Sequence, residues 1–199
     1  MLHHFPMNHL AHCFLARTSP ELVVGNMVAD HVRGLIDALP YSEGIRAGIA
    51  MHRHIDTFTD THPLVHAAAS LLRPTQGKYA GIAVDVAFDY LLATTWHTYS
   101  PEMHLDTFSR WVCGVLSDHT AILPQPLAEG VPYMVRDNFL VQYASRVGMD
   151  RSFVSIVRRS SFPSALLSAT DDILKHEAAL RELFVPFFEA LQIEVVGKY

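Results

Sequence analysis

One short segment of the chain concentrates imidazole and carboxylate groups. Residues 51–63 read MHRHIDTFTDTHP and include three histidines and two aspartates. His52 and Asp56 are four residues apart, so on a helix they lie on the same face. An imidazole and a carboxylate placed in this way can hold one divalent metal ion, and water bound to such an ion is a nucleophile near neutral pH. The segment therefore predicts metal-assisted hydrolysis.

Acids or imidazoles also interrupt three otherwise apolar helical segments, at residues 8–12, 25–34 and 84–92. Asp30 follows an apolar run, so its carboxylate is expected at the edge of the interior, held by a metal ion or by an ion pair with Arg33. Asp85 and Asp89 are four residues apart, and like charges at this spacing repel unless a cation lies between them. Either acid alone fits a structural role, whereas the pair favours a metal ion, Arg or Lys nearby.

Asp60 and His54 have interpretations of their own. With Thr61 before Pro63, Asp60 can cap the helix that follows, and we expect capping in preference to catalysis. His54 lies about 200° around the helix from His52, so it is expected to reach substrate or solvent rather than the same ion.

Three arginines close to these acids in sequence suit phosphate recognition, although ordinary solvation explains them equally well: Arg33, Arg46 and Arg53. Competing chemistries have little support. The chain has no P-loop, no dinucleotide-binding glycine motif, no Gly-x-Ser-x-Gly and no His-Glu-x-x-His.

The composition is that of a globular protein with a sizeable core. The chain has 199 residues, of which 50% are hydrophobic and 18% charged. It is expected to form a single domain over residues 1–199, with residues 1–6 as an N-terminal extension if Met7 is the true start. The net charge of −5 argues against nucleic-acid binding. Cys13 and Cys113 do not resemble a disulfide framework, so a cytoplasmic setting is expected, and no apolar run predicts membrane insertion.

Helical signals recur along the chain and strand signals are sparse, which predicts an all-α, irregular multi-helix domain. Ser42 and Ser100 are expected N-caps, Pro74 is expected to end a helix, and prolines between residues 124 and 132 are expected to break the chain. The predicted helices cover residues 20–35, 43–58, 63–72, 79–96, 101–116, 133–146, 150–158 and 163–193.

Taken together, these segments resemble the acyl carrier protein phosphodiesterase family, also called acyl carrier protein hydrolases. The resemblance rests on four motifs that occur in order: Met7-Asn8-x-Leu10-Ala11-His12, Gly25-Asn26-x-x-Ala29-Asp30-x-x-Arg33-Gly34, Met51-His52-Arg53-x-Ile55-Asp56-x-x-Thr59-Asp60 and Asp85-Val86-x-x-Asp89-x-Leu91-Leu92. Trp96 and Ser100-Pro101 also fit. Beyond residue 101 the match is looser, and Arg158-Arg159-Ser160-Ser161 stands where a more basic segment is expected. His54 stands where the family can carry Arg, which argues against His54 as an obligatory ligand.

The family is similar to the HD-type metal phosphohydrolases, so the resemblance implies an HD-domain-like fold and a divalent metal cofactor. Mn²⁺ is the expected ion, with Mg²⁺, Fe²⁺ or Co²⁺ as alternatives. The implied reaction cleaves the phosphodiester between the serine of holo-acyl carrier protein and 4′-phosphopantetheine by metal-activated water. The products would be apo-acyl carrier protein and 4′-phosphopantetheine.

The resemblance also implies roles for individual residues. The implied metal ligands are Asp30, His52 and Asp56, with Asp85 or Asp89 completing the set. The implied catalytic residues are Asp30, Arg33, Arg53 and Asp60, where an arginine offsets charge on the phosphoryl oxygens and Asp60 orients a ligand. The carrier protein is small, acidic and helical, so a local basic surface is expected. It would be drawn from Arg46, Arg53, Arg136, Arg146, Arg151, Arg158 and Arg159.

Two other interpretations stay open. The same metal residues could serve a phosphohydrolase that acts on a nucleotide or another small phosphodiester. Alternatively, the chain could be a helical protein without enzymatic activity, in which the acids form structural ion pairs and the histidines are incidental. The second alternative predicts that divalent ions do not raise the melting temperature, because an ion that binds only the native state must stabilise it.

Overall fold

The computed structural model describes residues 9–159 and 165–199, without the side chain of Arg159, and the regular elements in these ranges are helices. The all-α prediction is therefore confirmed. Among the described helices, none is both long and apolar enough to cross a membrane. The α-helices are α1 His9–Leu15, α2 Pro20–Val28, α3 Glu43–Thr61, α4 Pro63–Gln76, α5 Ala80–Thr94, α6 Trp96–Tyr99, α7 Leu105–Asp118, α8 Gln125–Asp137, α9 Phe139–Gln142, α10 Arg146–Arg159, α11 Ala169–Lys175 and α12 Glu177–Val195. Short 3₁₀ turns lie at Ala29–His31, Ile36–Ala38, Gly77–Tyr79, Thr120–Ile122 and Ala165–Ser168.

The start of α3 follows the prediction, whereas the end of α2 does not. The Ser42 hydroxyl accepts a hydrogen bond from the Ile45 backbone N–H at 3.3 Å and so caps α3. The prediction that α2 continues to residue 35 was wrong. A 3₁₀ turn follows α2, Val32 is extended, and Gly34 has a φ of 95°, which only glycine adopts readily. The chain thus leaves the helix just before Asp30.

Two expected proline breaks do not occur. Helix α4 continues through Pro74 and stops at Gly77, where φ is 55°. Pro74 removes one hydrogen-bond donor, but the carbonyl that loses its partner belongs to the exposed Ser70, which water can reach. Helix α8 likewise contains Pro132 in its interior.

Several predicted boundaries in the second half of the chain were also wrong. Helix α7 begins at Leu105 and not at residue 101, because the Ser100 hydroxyl donates to the Glu102 carboxylate instead of capping a helix. Asn138, with a left-handed φ of 47°, separates α8 from α9 inside the predicted helix 133–146. Helix α10 begins four residues before its predicted start. The predicted helix 163–193 is divided into α11 and α12, and its beginning, with Phe162-Pro163, lies outside the described residues, as do Met7, Asn8, Ser160 and Ser161.

One connected cluster of buried apolar side chains extends from Leu10 to Val195. Aromatic rings of α12 pack against both α5 and α1. The Phe184 ring lies 5.3 Å from the ring of Phe88 on α5, and the Phe188 ring lies 5.7 Å from the ring of Phe14 on α1. Each fully buried side chain of this size contributes roughly 1.5–3 kcal/mol to folding. This packing holds the short helix α1 against α5 and α12.

Helices α2 and α3 cross with their backbones in direct contact at Gly25 and Gly48. A Cβ atom on Gly25 would lie 2.2 Å from the Ile45 carbonyl oxygen, and one on Gly48 would lie 2.5 Å from the Leu22 carbonyl oxygen. No larger residue fits at either position without moving a backbone. The close approach brings the end of α2 beside the α3 residues that lie one and two turns beyond Gly48.

Candidate metal centre

Three side chains from α1 and α3 converge on one point. The ligand atoms of His12, His52 and Asp56 all lie within 4.8 Å of one another, as a bound metal ion requires. His52 Nε2 is 3.1 Å from Asp56 Oδ2, and His12 Nε2 is 3.3 Å from Asp56 Oδ1. The two imidazole rings stack with their centroids 4.2 Å apart. The expected pairing of His52 with Asp56 on one helix face is confirmed.

Asp30 joins this group from the 3₁₀ turn after α2. Its Oδ1 lies 3.0 Å from His52 Nε2, and its side chain is 16% exposed. The sequence left two partners open for this carboxylate, a metal ion or Arg33. In the structure the carboxylate contacts a histidine of the candidate metal group.

His12 is the member of the group that the sequence argument did not assign as a ligand. It lies on the short helix α1 and is only 2% exposed. Its Nδ1 is 3.0 Å from Oδ1 of the buried Asn26, whose amide nitrogen donates to the Leu22 carbonyl oxygen at 3.0 Å. One sequence pattern could have identified His12 as a ligand. His12 follows Leu10 and Ala11 in an apolar helical segment, just as Asp30 follows the apolar run of α2.

Charge is concentrated around His52 and Asp56. Burial lowers the pKa of His52, but hydrogen bonds to Asp30 and Asp56, together with their charges, outweigh burial and raise this pKa to about 9. Burial raises the pKa of Asp56, but the imidazole rings of His12 and His52 beside it outweigh burial and hold this pKa well below its usual range. A protonated His52 therefore balances the two carboxylates when no metal ion does so.

Asp85 of α5 is partly buried. Burial raises the pKa of its carboxyl well above the usual range, and the charges of Asp56, Asp60 and Asp89 raise it further. Asp85 therefore interacts electrostatically with Asp56 and Asp60. A cation among these acids would relieve the repulsion.

Asp89 is buried and faces the backbone of α1. Its Oδ2 accepts a hydrogen bond from the Leu10 N–H at 2.9 Å, and its Oδ1 accepts one from the Ala11 N–H at 3.0 Å. Burial raises the pKa of Asp89 to about 8, although these two hydrogen bonds act in the opposite direction. The side chain supplies acceptors for the N-terminus of α1. It is not among the three ligand groups that converge in the described residues.

The prediction that Asp60 caps α4 was wrong. Helix α3 continues to Thr61, so Asp60 is part of its last turn and is exposed. The cap of α4 is His62, whose Nδ1 accepts a hydrogen bond from the Leu64 N–H at 3.3 Å. The Asp60 backbone carbonyl accepts a hydrogen bond from His66 Nε2 at 2.7 Å. The Asp60 carboxylate remains near enough to Asp85 to raise its pKa.

His54 and the arginines near the acids have structural partners. His54 Nε2 lies 2.9 Å from the Glu194 carboxylate on α12, and its side chain is 25% exposed, so His54 reaches solvent as expected and also pairs with a distant acid. Arg53 Nη1 donates to the Gly34 carbonyl oxygen at 2.9 Å, and Arg46 Nη1 donates to the Tyr41 carbonyl oxygen at 2.9 Å. Both hydrogen bonds connect α3 to residues 31–42, the segment between Asp30 and α3. Arg33 is exposed on that segment.

The donor set fits a divalent ion. The buried Nε2 of His12 has no hydrogen-bond partner among the described residues, although it points toward Asp56. A buried polar atom without a partner is costly, and a metal ion would supply the missing partner. Imidazole nitrogen together with carboxylate oxygen is a common ligand combination for Mn²⁺, Fe²⁺ and Zn²⁺.

Comparison with known proteins gives a consistent result over nearly the whole chain. The sequence model of the family described as acyl carrier protein phosphodiesterase matches residues 7–191. A Photorhabdus laumondii protein named acyl carrier protein phosphodiesterase is 34% identical over 192 residues, which cover 96% of each chain. A Yersinia enterocolitica protein of the same name is 31% identical over 96% of this chain and 99% of its own. No solved structure matches the chain.

Proposed function

Because the chain belongs to the acyl carrier protein phosphodiesterase family, we propose that it hydrolyses the phosphodiester between 4′-phosphopantetheine and the serine of holo-acyl carrier protein. The products are apo-acyl carrier protein and 4′-phosphopantetheine. The observation that carries the site assignment is the convergence of His12, His52 and Asp56 within 4.8 Å. The group includes the partly exposed carboxylate of Asp56. A metal site of this kind suits hydrolysis better than electron transfer or nucleophilic catalysis by a side chain.

The proposed cofactor is one Mn²⁺ ion, with Mg²⁺, Fe²⁺ and Co²⁺ as the alternatives to be tested. His12, His52 and Asp56 would hold it, and Asp30 lies beside His52 at 3.0 Å. When bound, such an ion polarises a phosphoryl oxygen and lowers the pKa of water. His52 Nε2 must give up its proton to become a ligand, and Asp30 and Asp56 are the carboxylates next to that proton.

Asp85 is the acid that we propose as the further carboxylate of the site, in preference to Asp89. Both oxygens of Asp89 already accept hydrogen bonds from the backbone of α1. Asp85, by contrast, lies near the charges of Asp56 and Asp60. Asp60 would then orient a neighbouring ligand from the exposed end of α3.

Arg33 and Arg53 are proposed to stabilise negative charge on the phosphoryl oxygens. Arg53 on α3 donates to the carbonyl oxygen of Gly34, the residue that follows Arg33, so its guanidinium group contacts the segment that carries Arg33 and follows Asp30. A guanidinium group can offer two parallel N–H donors to a phosphate, which a lysine cannot do.

The carrier protein is proposed to dock on the exposed face of α10. Four members of the arginine pool already have backbone or carboxylate partners on their own side of the fold: Arg46, Arg53, Arg136 and Arg146. Arg151 and Arg158 line a surface cavity of about 640 Å³ together with Asp150 and the exposed Val147 and Val154. Arg151 also lies 3.5 Å from the side-chain oxygen of Gln142. Helix α10 carries four arginines and one aspartate, although the whole chain has a net charge of −5. This charge would attract an acidic helical partner.

The decisive assay measures the release of 4′-phosphopantetheine from purified holo-acyl carrier protein. We expect release with Mn²⁺, none with EDTA, and at least about 100-fold slower release by Asp56→Asn, because that change removes a ligand oxygen. Asp118→Asn, which alters an exposed acid at the end of α7, is the matched control and should keep full activity.

Folded wild-type protein that releases nothing with any of the four ions would overturn the proposal. Hydrolysis of nucleotides under the same conditions would then support the small-phosphodiester alternative. Release that persists in EDTA, or in Asp56→Asn at the wild-type rate, would remove the metal group from the mechanism.

A further inference from the structure

The ring of His12 is held between two side chains with different chemistry. Its Nδ1 lies 3.0 Å from Oδ1 of Asn26 on α2, and its Nε2 lies 3.3 Å from Oδ1 of Asp56 on α3. His12 is 2% exposed and Asn26 is 1% exposed, so neither contact is shared with bulk water. The protons on this ring are therefore set by the protein.

The orientation of the Asn26 amide follows from its second hydrogen bond. Its Nδ2 donates to the Leu22 carbonyl oxygen at 3.0 Å, one turn earlier on the same helix. A carbonyl oxygen can only accept, so the amide nitrogen must face Leu22 and the amide oxygen must face His12. If the amide were flipped, Asn26 Oδ1 would face the Leu22 carbonyl oxygen. Both oxygens would then be buried without a hydrogen-bond donor, which is costly.

The oriented amide determines where the His12 proton lies. Because Asn26 Oδ1 can only accept, Nδ1 of His12 must carry the proton that forms this bond. In the neutral ring, Nε2 is then left with a lone pair that points at the candidate metal position. This nitrogen has no hydrogen-bond partner among the described residues. With the proton on Nε2 instead, the ring could not serve as a ligand through this atom.

We propose that Asn26 is a positioning residue that holds His12 in the Nδ1–H tautomer, so that Nε2 is available to a divalent ion shared with His52 and Asp56. This inference rests on the proposed function, because it needs a metal ion at the site. Asn26 does not touch the ion and acts only through the ring of His12. The Leu22 carbonyl oxygen orients the Asn26 amide, and the Asn26 amide in turn fixes the proton on Nδ1 of His12.

Two substitutions separate this role from ordinary support of the core. Asn26→Leu keeps a side chain of similar size but loses the acceptor for Nδ1–H. Asn26→Asp keeps an acceptor for Nδ1–H and loses the donor to Leu22. Both variants lose a buried hydrogen bond and should be less stable than wild type. Only Asn26→Leu should lose the bias toward the Nδ1–H tautomer.

The first measurement is nitrogen-15 NMR of the histidine rings in wild-type protein freed of metal, which distinguishes the Nδ1–H, Nε2–H and doubly protonated forms. We expect a proton on Nδ1 of His12 in wild type and in Asn26→Asp, because Nδ1 faces an acceptor in both, and the Nε2–H form or a mixture in Asn26→Leu. The second measurement is Mn²⁺ affinity by calorimetry. We expect affinity about 10–100-fold weaker for Asn26→Leu, with recovery to within a few-fold of wild type in Asn26→Asp.

Gln76→Leu is the matched control. Gln76 is a buried amide on α4 that donates to Asp172, away from the metal group. Its loss should lower stability without changing Mn²⁺ affinity or the His12 spectrum. If all three variants change metal affinity to the same extent, Asn26 is only a core residue and the inference is wrong.

The inference is also overturned if wild-type His12 has no proton on Nδ1 at neutral pH, or if Asn26→Leu binds Mn²⁺ as tightly as wild type. Those results would leave the proposed function intact, provided that wild type still releases phosphopantetheine with Mn²⁺. If wild type neither binds a divalent ion nor releases phosphopantetheine, both proposals fail together. The wild-type spectrum tests the tautomer even if a variant does not fold.

Discussion

The carboxylate of Asp89 accepts a hydrogen bond from the backbone N–H of Leu10, a residue 79 positions earlier in the chain. Its second oxygen does the same for Ala11. Both N–H groups belong to the first described turn of α1. A buried carboxylate on α5 thus holds the short helix that presents His12, and the location of His12 depends on a residue outside the metal group.

Asp89→Asn should weaken metal binding indirectly. The amide can replace only one of the two acceptor oxygens, so we expect the free energy of unfolding to fall by about 1–3 kcal/mol and Mn²⁺ affinity to fall about tenfold. Chemical denaturation and calorimetry measure the two effects. A ligand role for Asp89 predicts a different pair of results, namely loss of Mn²⁺ binding with stability unchanged.

Asp85→Asn provides the contrast. Burial and neighbouring acids raise the pKa of Asp85, so the folded state disfavours its ionised form. Asparagine cannot ionise, so the substitution should stabilise the protein without metal. The same change should weaken Mn²⁺ binding, because the acid that we propose as a further ligand is gone. If metal affinity is unchanged in Asp85→Asn, this carboxylate is not part of the site.

Gly25→Ala should strongly destabilise the protein. Its new Cβ would lie 2.2 Å from a backbone oxygen of α3, and helices in a packed core cannot separate without losing other contacts. We expect a loss of about 3 kcal/mol or more in urea unfolding. Gly114→Ala on α7 is the matched control, since a Cβ there meets nothing within 4 Å. Because alanine favours helix over glycine, the control should gain up to about 1 kcal/mol.

The stability of the metal-free protein should decrease as the pH rises from about 6.5 to 9. The pKa of His52 is about 9 in the folded chain against an ordinary value of 6.5, so the folded state binds this proton more tightly than the unfolded state. The resulting stabilisation, about 3 kcal/mol, is fully present below pH 6.5 and is lost as the pH rises through 9. Unfolding in EDTA across this range measures it.

His52→Gln isolates the contribution of this proton, because Asp89 also titrates near pH 8 in the folded chain. The difference in unfolding free energy between wild type and His52→Gln should shrink with rising pH across the same range. A difference that stays constant from pH 6 to 9.5 would mean that His52 is not protonated between its two carboxylates.

Reversing charge on α10 should weaken recognition of the carrier protein and not the chemical step. For the double variant Arg151→Glu, Arg158→Glu, we expect KM for holo-acyl carrier protein to rise about tenfold or more, with kcat within a few-fold of wild type. The wild-type KM should also rise with salt, since the attraction is screened. Arg110→Glu is the control, because Arg110 is also exposed but lies on α7 beside Asp106. An equal effect of the control would place the docking surface elsewhere.

Local spacing was sufficient for one half of the candidate site. Asp56 lies four positions after His52, and any helix places such a pair on one face. His12 could not be found in this way, because it reaches Asp56 only through the packing of α1, which involves residues from α5 and α12. The role of Asp89 was hidden for the same reason: an acid four residues after Asp85 resembles a second ligand, whereas its oxygens serve the backbone of a distant helix.

Helix content followed from the sequence, whereas several helix ends did not. Proline predicts a break because it removes one donor and crowds the preceding turn, but α4 accommodates Pro74 where water reaches the carbonyl that loses its partner. Asp60 is a residue type that commonly caps helices, but α3 extends beyond it, and His62 caps α4 instead. The HD-like character of the fold and its organisation as one domain stay predictions.

The contact between Gly25 and Gly48 has a consequence for the order in which the site forms. Asp30, His52 and Asp56 all belong to the continuous stretch from Pro20 to Thr61, so they meet through contacts that are near in sequence and close rapidly during folding. His12 lies outside this stretch, and its position depends on the long-range contacts of α1 with α5 and α12, so we expect it to join the site later. An enzyme in which α1 detaches would retain two carboxylates and one imidazole, enough to capture an ion weakly on the way to the native state.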